Sequence, residues 1–515
     1  MKKFGLFLIA FIMVSVFTLY AGGGQSSGRS ASNEPVTIRV LACPNIQSFR
    51  PGEDENNNDI YSYLEKVSGY KLRWSILPTE GALERLTLEI ASGDPSDLIF
   101  LKRIPNPRGT LMQFANDGYL MELDEYIKNE PMILSDPTLM DPELRKWGVV
   151  NGKQYAIPTV PSALGYNDSI AGLKSLTEPM GLLGNDMTPE GIQRMFAAVK
   201  QAYPDKIILT GPCGSTNDYQ LKGFRWLYGA FGVSTPWRDV GGRLEYTPLT
   251  NDMRNCLQYI AGLNAAGYLD PEIAILKEER VRDKLAQGNV VFANMGWYDW
   301  INLSTTYKVN ANEEPLWQVY GNAKGGDGRS GQFIDTEYNT LFVIPATSKV
   351  PQEAVNLVGH LTREETNDFL VFGIKGMDYN TDAEGNINLI TNRRATPPGQ
   401  QYYVYYMSSE TVEMFNKRIK ASYSLPGGDI FYVKDGIWDI YSYAATVRNP
   451  AAIMPVIPQY IDRISDINSL CAEYFLKIAV GALPISSFDE FLTRFNAIGG
   501  NDMVNAVNQW YTTRR

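Results

Sequence analysis

At 515 residues the chain is too long for one ordinary core, so two or three compact units are expected. Apolar residues make up 44 % and charged residues 20 %, the proportions of a soluble globular protein. With 57 acidic side chains against 47 basic ones and no basic run, a nucleic-acid binder is set aside, because that role needs cations ranged along phosphates.

The first residues differ from the rest. Lys2 and Lys3 precede a nearly uncharged apolar stretch, residues 4–20, and Ala21, Gly22, Gly23 and Gly24 offer small side chains for cleavage. Residues 1–21 are expected to be a secretory signal. The alternative is a retained anchor, for which the stretch is marginal in length. No cysteine stands near the cleavage point, so no lipid attachment is expected there. Residues 22–33 (GGGQSSGRSASN) contain nothing able to build a core and read as a flexible tether. Cys43, Cys213, Cys256 and Cys471 permit disulfides in an exported protein, with all pairings open and free buried thiols as the alternative.

Residues 36–42 (VTIRVLA) predict a strand, and a turn-rich loop follows over 44–58. A helix is expected over 59–68, with Tyr61, Leu64 and Val67 on one stripe and Gly69 as its stop. Residues 70–77 predict a second strand. Leu83, Leu86, Leu88 and Ile90 mark a second helix, closed by Gly93, and 97–101 (DLIFL) a third strand. Strands alternating with helices across short turns predict an α/β fold with a parallel sheet. The same grammar recurs in helix 188–203, capped by Thr188 and burying Ile192, Met195, Phe196 and Val199. Strand 206–209, helices 249–267 and 281–287, strand 290–293, strand 340–345 and helix 352–361 follow. Residues 461–480, 487–498 and 502–511 predict closing helices. No fixed-period repeat is visible, so a solenoid is not expected.

Catalytic patterns are sparse. His360 is the single histidine and sits in a helix beside Val358 and Leu361, a packing or surface position. The chain has no HExxH or phosphate loop, and the Gly-rich run 325–331 lacks the lysine such a loop needs. A glycosidase built on two carboxylates is the enzymatic alternative. Asp54, Asn56, Asn58 and Glu65 fall at positions one, three, five and twelve of a calcium loop, but Asp59 stands where that loop needs glycine. No metal and no cofactor are expected.

Six segments, in one order, carry a resemblance: LTLEIASGDPSDLIF (86–100), FANDGYLMELDEY (114–126), GKQYAIP (152–158), AGYLDPE (266–272), VIPATSKVPQEA (343–354) and GMDYNTDAEG (376–385). Together they resemble the extracellular solute-binding proteins of ABC transporters, in the longer, oligosaccharide-binding branch of the sugar class. The resemblance implies a periplasmic-binding-protein-like clamp of two α/β lobes joined by three hinge crossovers, with extra C-terminal helices. It implies an N-terminal lobe from 34–160 and 333–392, and a C-terminal lobe from 161–332 and 393–515. The crossovers are expected near 156–165, 332–338 and 392–400. The implied function is capture of an oligosaccharide by hinge closure and delivery to ABC permease subunits, by an exported monomer in the periplasm or at the cell surface. A ligand-sensing or surface-binding protein on the same clamp is the alternative. Uronate-binding members carry a calcium loop where this chain has QAYPDKI (201–207), which lacks such ligands.

GNVVFANMGWYDW (288–300) delivers Trp297, Tyr298 and Trp300 from a strand into a loop. It resembles the maltodextrin-type segment whose tryptophan stacks on a sugar ring, and Trp297 is the leading candidate. A flat indole covers the C–H face of a sugar and leaves the hydroxyls free for polar partners. Further ligand-binding candidates by position are Phe49 and Arg50 after the first strand, Lys102 and Arg103 after the third, Tyr166 and Asn167 beyond a crossover, and Tyr219 and Trp226. Basic residues at the end of a strand lead to the expectation of an acidic sugar.

Overall fold

A computed structural model describes residues 34–42, 52–78, 81–102, 104, 107–159, 168–181, 186–216, 218–296, 317–333, 338, 340–383, 385, 387–390 and 446–513. The chain divides into two compact units, Met1–Pro35 and Val36–Arg515. Of the first, only Glu34 and Pro35 are among the described residues, so the expected signal and tether lie outside them.

The second unit is organised by two sheets. The chain first lays down β1 (Thr37–Ala42), α1 (Asp59–Ser68), β2 (Lys71–Ile76), α2 (Ala82–Ala91), β3 (Leu98–Leu101), α3 (Pro107–Asn116) and β4 (Ala156–Pro158). It continues through β5 (Asp168–Leu173), α4 (Pro189–Ala202), β6 (Ile207–Thr210), α5 (Asn251–Ala265), α6 (Glu278–Ala286), β7 (Val290–Gly296) and β8 (Trp317–Gly321). Then come β9 (Leu341–Val343), α7 (Pro351–Leu361), α8 (Pro458–Ala479), α9 (Ser487–Ala497) and α10 (Gly500–Thr513).

The first sheet has the order β2-β1-β3-β9-β4, with β1 parallel to β2 and β3 and with β9 antiparallel to both its neighbours. The second has the order β6-β7-β5-β8, with β6 parallel to β7 and with β5 antiparallel to both its neighbours. A parallel bridge from Leu209 to Leu269 extends it beyond β6. The two sheets are therefore built to one plan. In each, the antiparallel strand is the first one laid down after the chain arrives from the other sheet: β5 after β4, and β9 after β8. This swap ties the sheets together and yields the two-lobed α/β fold.

Local sequence explains the elements. Asn58 caps α1 by accepting the Tyr61 N–H at 2.9 Å, and Gly69 ends it at φ 75°, a conformation that favours glycine. One core gathers β1–β4, β9, α1, α2 and α7 around Trp74 and Phe342, and Tyr61 stacks on Trp74 at 4.2 Å. The other joins α4, α5 and β5–β7 to the closing helices through Phe475, Phe491 and Phe495.

Several expectations are adjusted. Leu88 is 64 % exposed, because the buried stripe of α2 is Ala82, Leu86 and Ile90, four residues apart, and Leu88 falls on the opposite side. The strand expected over 290–293 runs on to Gly296. Cys213, Cys256 and Cys471 are buried free thiols, and Cys43 lies outside the described residues.

Candidate functional site

In a mainly parallel sheet the carboxyl ends of the strands gather at one edge, and folds of this kind hold ligands there. In the first sheet, Lys102 follows β3, Thr159 follows β4, and Thr340 precedes the antiparallel β9. Leu341 is paired with both Leu101 and Pro158, so one rung further these three residues end their strands side by side. The Thr159 N–H donates to the Thr340 carbonyl at 3.0 Å. Both threonines are fully buried, and neither hydroxyl has a hydrogen-bond partner among the described residues.

The Tyr338 ring lies 5.1 Å from Trp147, and Arg108 lies near enough to the Tyr338 hydroxyl to act on it electrostatically. Arg108 also donates from Nη2 to the Val149 carbonyl at 2.5 Å. Among the described residues its Nε and Nη1, and the Trp147 indole nitrogen, are buried without partners. Burial pushes the Arg108 guanidinium down to about 10, and it pushes the Tyr338 hydroxyl up to about 12. At neutral pH the arginine keeps its charge and the tyrosine its proton.

The second sheet ends in the same way. Thr210 closes β6, Ser169 stands near the start of β5, Asn294 lies near the end of β7, and Asn322 follows β8. All four are buried. The Thr210 hydroxyl donates to Asp270 at 2.9 Å, and Asp270 also receives Lys284 Nζ at 2.9 Å. Asn294 donates to the Lys222 carbonyl at 2.8 Å, but its Oδ1 has no partner, and neither does the Ser169 hydroxyl. The loop beyond β6 folds back so closely that a Cβ on Gly211 would meet the Gly223 Cα at 2.6 Å.

Residues 60–370 match the family model described as bacterial extracellular solute-binding protein. The chain belongs to this family. It is 20 % identical to the polygalacturonan/rhamnogalacturonan-binding protein YtcQ of Bacillus subtilis (strain 168), over 99 % of this chain and 98 % of that one. It is also 20 % identical to lipoprotein LipO of the same organism, over 96 % and 97 % of the two chains. In fold it is similar to an HMO-binding, ABC-transporter-associated solute-binding protein from Bifidobacterium longum infantis, with a TM-score of 0.68 at 13 % identity. That match covers 93 % of this chain and 98 % of the other. It is similar as well to the S. pneumoniae ABC-transporter substrate-binding protein FusA in complex with kestose, with a TM-score of 0.63 at 16 % identity over 93 % and 99 %. A member of an extracellular family works outside the cytoplasm. Among the described residues no helix is long and apolar enough to cross a membrane.

Within this solute-binding fold, the residues singled out from the sequence separate into three groups. Phe49, Arg50, Arg103, Tyr166, Asn167, Trp297, Tyr298 and Trp300 lie outside the described residues. In sequence they continue from β1, β3, β4 and β7, the strands whose carboxyl ends form the two edges. Lys102 is half-buried at the edge itself. Tyr219 and Trp226 are placed in the core: the Tyr219 hydroxyl donates to the Ser234 carbonyl at 2.8 Å, and the Trp226 indole to the Gly223 carbonyl at 3.2 Å. They hold the loop beyond β6 and do not face the surface, because that short loop brings its own apolar side chains down onto the sheet.

The calcium-like spacing has a structural use as well. Asn56 is bonded to the Trp74 main chain in both directions, Asn58 caps α1, and Glu65 accepts the Leu72 N–H at 2.9 Å. Arg108, Thr159, Thr340, Ser169 and Asn294 escaped sequence reasoning. Single polar residues beside apolar runs carry no local signal, and only the register brings them to the strand ends.

Proposed function

We propose that this chain is the substrate-binding component of an ABC importer and captures an oligosaccharide between two lobes. The lobes are 34–160 with 333–392, and 161–332 with 393–515, closing about crossovers near 156–165, 332–338 and 392–400. The observation that carries this reading is the matched pair of polar edges. Both sheets bury hydrogen-bonding groups at their carboxyl ends, and four of these (Thr159, Thr340, Ser169 and Asn294) have atoms without a partner among the described residues. Buried polar atoms normally find partners, and a pair of such edges suits a ligand rich in hydroxyls.

Aromatic stacking complements the polar edges. Trp297 comes one residue after β7 in the sequence, and its indole offers a flat face for a sugar ring, with Tyr298 and Trp300 following in the chain. YtcQ is named for binding polygalacturonan and rhamnogalacturonan, and FusA was solved with kestose, which supports a carbohydrate ligand here. The ligand is bound and released unchanged, as transport requires. A dissociation constant near ~1 μM corresponds to about −8 kcal/mol, within reach of a few stacked rings and hydrogen bonds after ordering costs.

The test is thermal unfolding of the mature protein against neutral and uronate oligosaccharides. A ligand that binds only the folded chain raises the midpoint. The reading expects a shift with one sugar class and unchanged sugar after long incubation. Absence of any shift contradicts a sugar ligand, and fragments of the sugar contradict a pure binder.

A further inference from the structure

We propose that Arg108, Trp147, Thr159 and Thr340, at the carboxyl edge of the first sheet, form a subsite for a carboxylate of the bound sugar, so the ligand is an acidic oligosaccharide. The proposal rests on the sugar-binding reading of the same site and narrows it to one chemical class. Five buried atoms there have no partner: Nε and Nη1 of Arg108, Nε1 of Trp147, and the hydroxyls of Thr159 and Thr340. Every one of them carries a hydrogen to donate. Thr159 and Thr340 are joined by a main-chain bond, Trp147 and Arg108 both lie beside Tyr338, and Tyr338 stands two residues before Thr340 in the chain.

A packed core pairs its donors with acceptors, and five unmatched donors around the ends of β4 and β9 call for an acceptor from outside. Charge decides its kind. Among the described residues Arg108 makes no ion pair, and its one side-chain bond goes to the Val149 carbonyl, which is neutral. A sugar hydroxyl could accept one of these hydrogens without balancing the charge. A carboxylate accepts several and balances it. In the chain, Thr159 is the first residue after β4 and Thr340 the last before β9.

The experiment is calorimetric titration of the mature chain with α-1,4-trigalacturonate and with its carboxyl-reduced, neutral counterpart. The wild type is expected to bind the acid at least about tenfold more tightly. Arg108→Gln should remove most of that preference and leave the neutral sugar's affinity within about twofold. Thr340→Val takes away a buried hydroxyl that has no partner, so folding is kept while affinity for the acid falls. Equal weakening of both sugars by Arg108→Gln would overturn the subsite, since that result fits an arginine paired internally with Asp335 or Glu337, the acidic neighbours of Tyr338 in sequence. Unchanged acid binding in Thr340→Val would overturn it too, and serves where Arg108→Gln does not fold. A wild type that binds the neutral sugar with no preference for the acid overturns the subsite alone. One that binds neither sugar overturns the carbohydrate reading with it.

Discussion

Asp97 accepts the Arg39 main-chain and Nε hydrogens at 3.0 Å each, and the Ser348 hydroxyl at 3.1 Å. The carboxylate of the ASGDPSD segment thus clamps β1 and the VIPATSK segment, which are far apart in sequence. Asp270, in AGYLDPE, does the same in the other lobe: its side chain is fully buried and binds Thr210, Lys284 and the Glu272 N–H. Gln154, in GKQYAIP, donates to the Ala156 carbonyl at 2.6 Å, and its own N–H reaches Asp124 of the FANDGYLMELDEY segment. The segments that made the family legible are therefore staples of the scaffold. Residues at the strand ends carry no such signature, which is why Tyr219 and Trp226, which are buried in the core, stood out in the sequence and Thr159 and Thr340 did not. Removing one partner of a buried pair leaves an uncompensated charge. Lys284→Ala is accordingly expected to lower stability by ~3 kcal/mol in urea unfolding, with Asp270→Asn milder because it removes the charge itself. A loss under ~1 kcal/mol for Lys284→Ala would show that water already screens the pair.

At the scale of elements, helices with clear periodicity were readable, and α1 and the buried face of α4 match their sequence patterns closely. Strands β5 and β8 were not foreseen. The sequence of β5, DSIAGL, mixes small and polar residues, and its strand identity comes from pairing on both sides with β7 and β8. Helix α7 offers a test of burial. Burial, with Arg363 nearby, holds the His360 imidazole below its usual range. The unfolded chain then takes up the proton more readily than the folded one. The contribution to stability is complete above about pH 6.5 and is lost as pH falls through the lower, folded value. Urea midpoints should decline from about pH 7 to 5, and His360→Gln should flatten that decline; an identical slope in the variant would contradict it. The thiols make a second test. Burial pushes Cys213 up to about 12 and raises Cys256 and Cys471 further. Peptide mass spectrometry should find all three unlabelled by iodoacetamide in the native protein and labelled in urea. Rapid native labelling of Cys256 would mean that α5 opens locally.

For the whole molecule, two sheets of matching order, each completed by a strand that follows a passage through the other, predict hinge closure on a ligand held at their polar edges. The α/β class and the family were legible because short-range alternation and staple residues are local properties of sequence. The edges were not, since they exist only where register lines up strands that are far apart in the chain. The most direct measurement is the radius of gyration of the mature protein by small-angle X-ray scattering, with and without the oligosaccharide that most raises its unfolding temperature. The account predicts a smaller radius at saturation, with an unchanged molecular mass. A radius unchanged at full occupancy would contradict capture by closure.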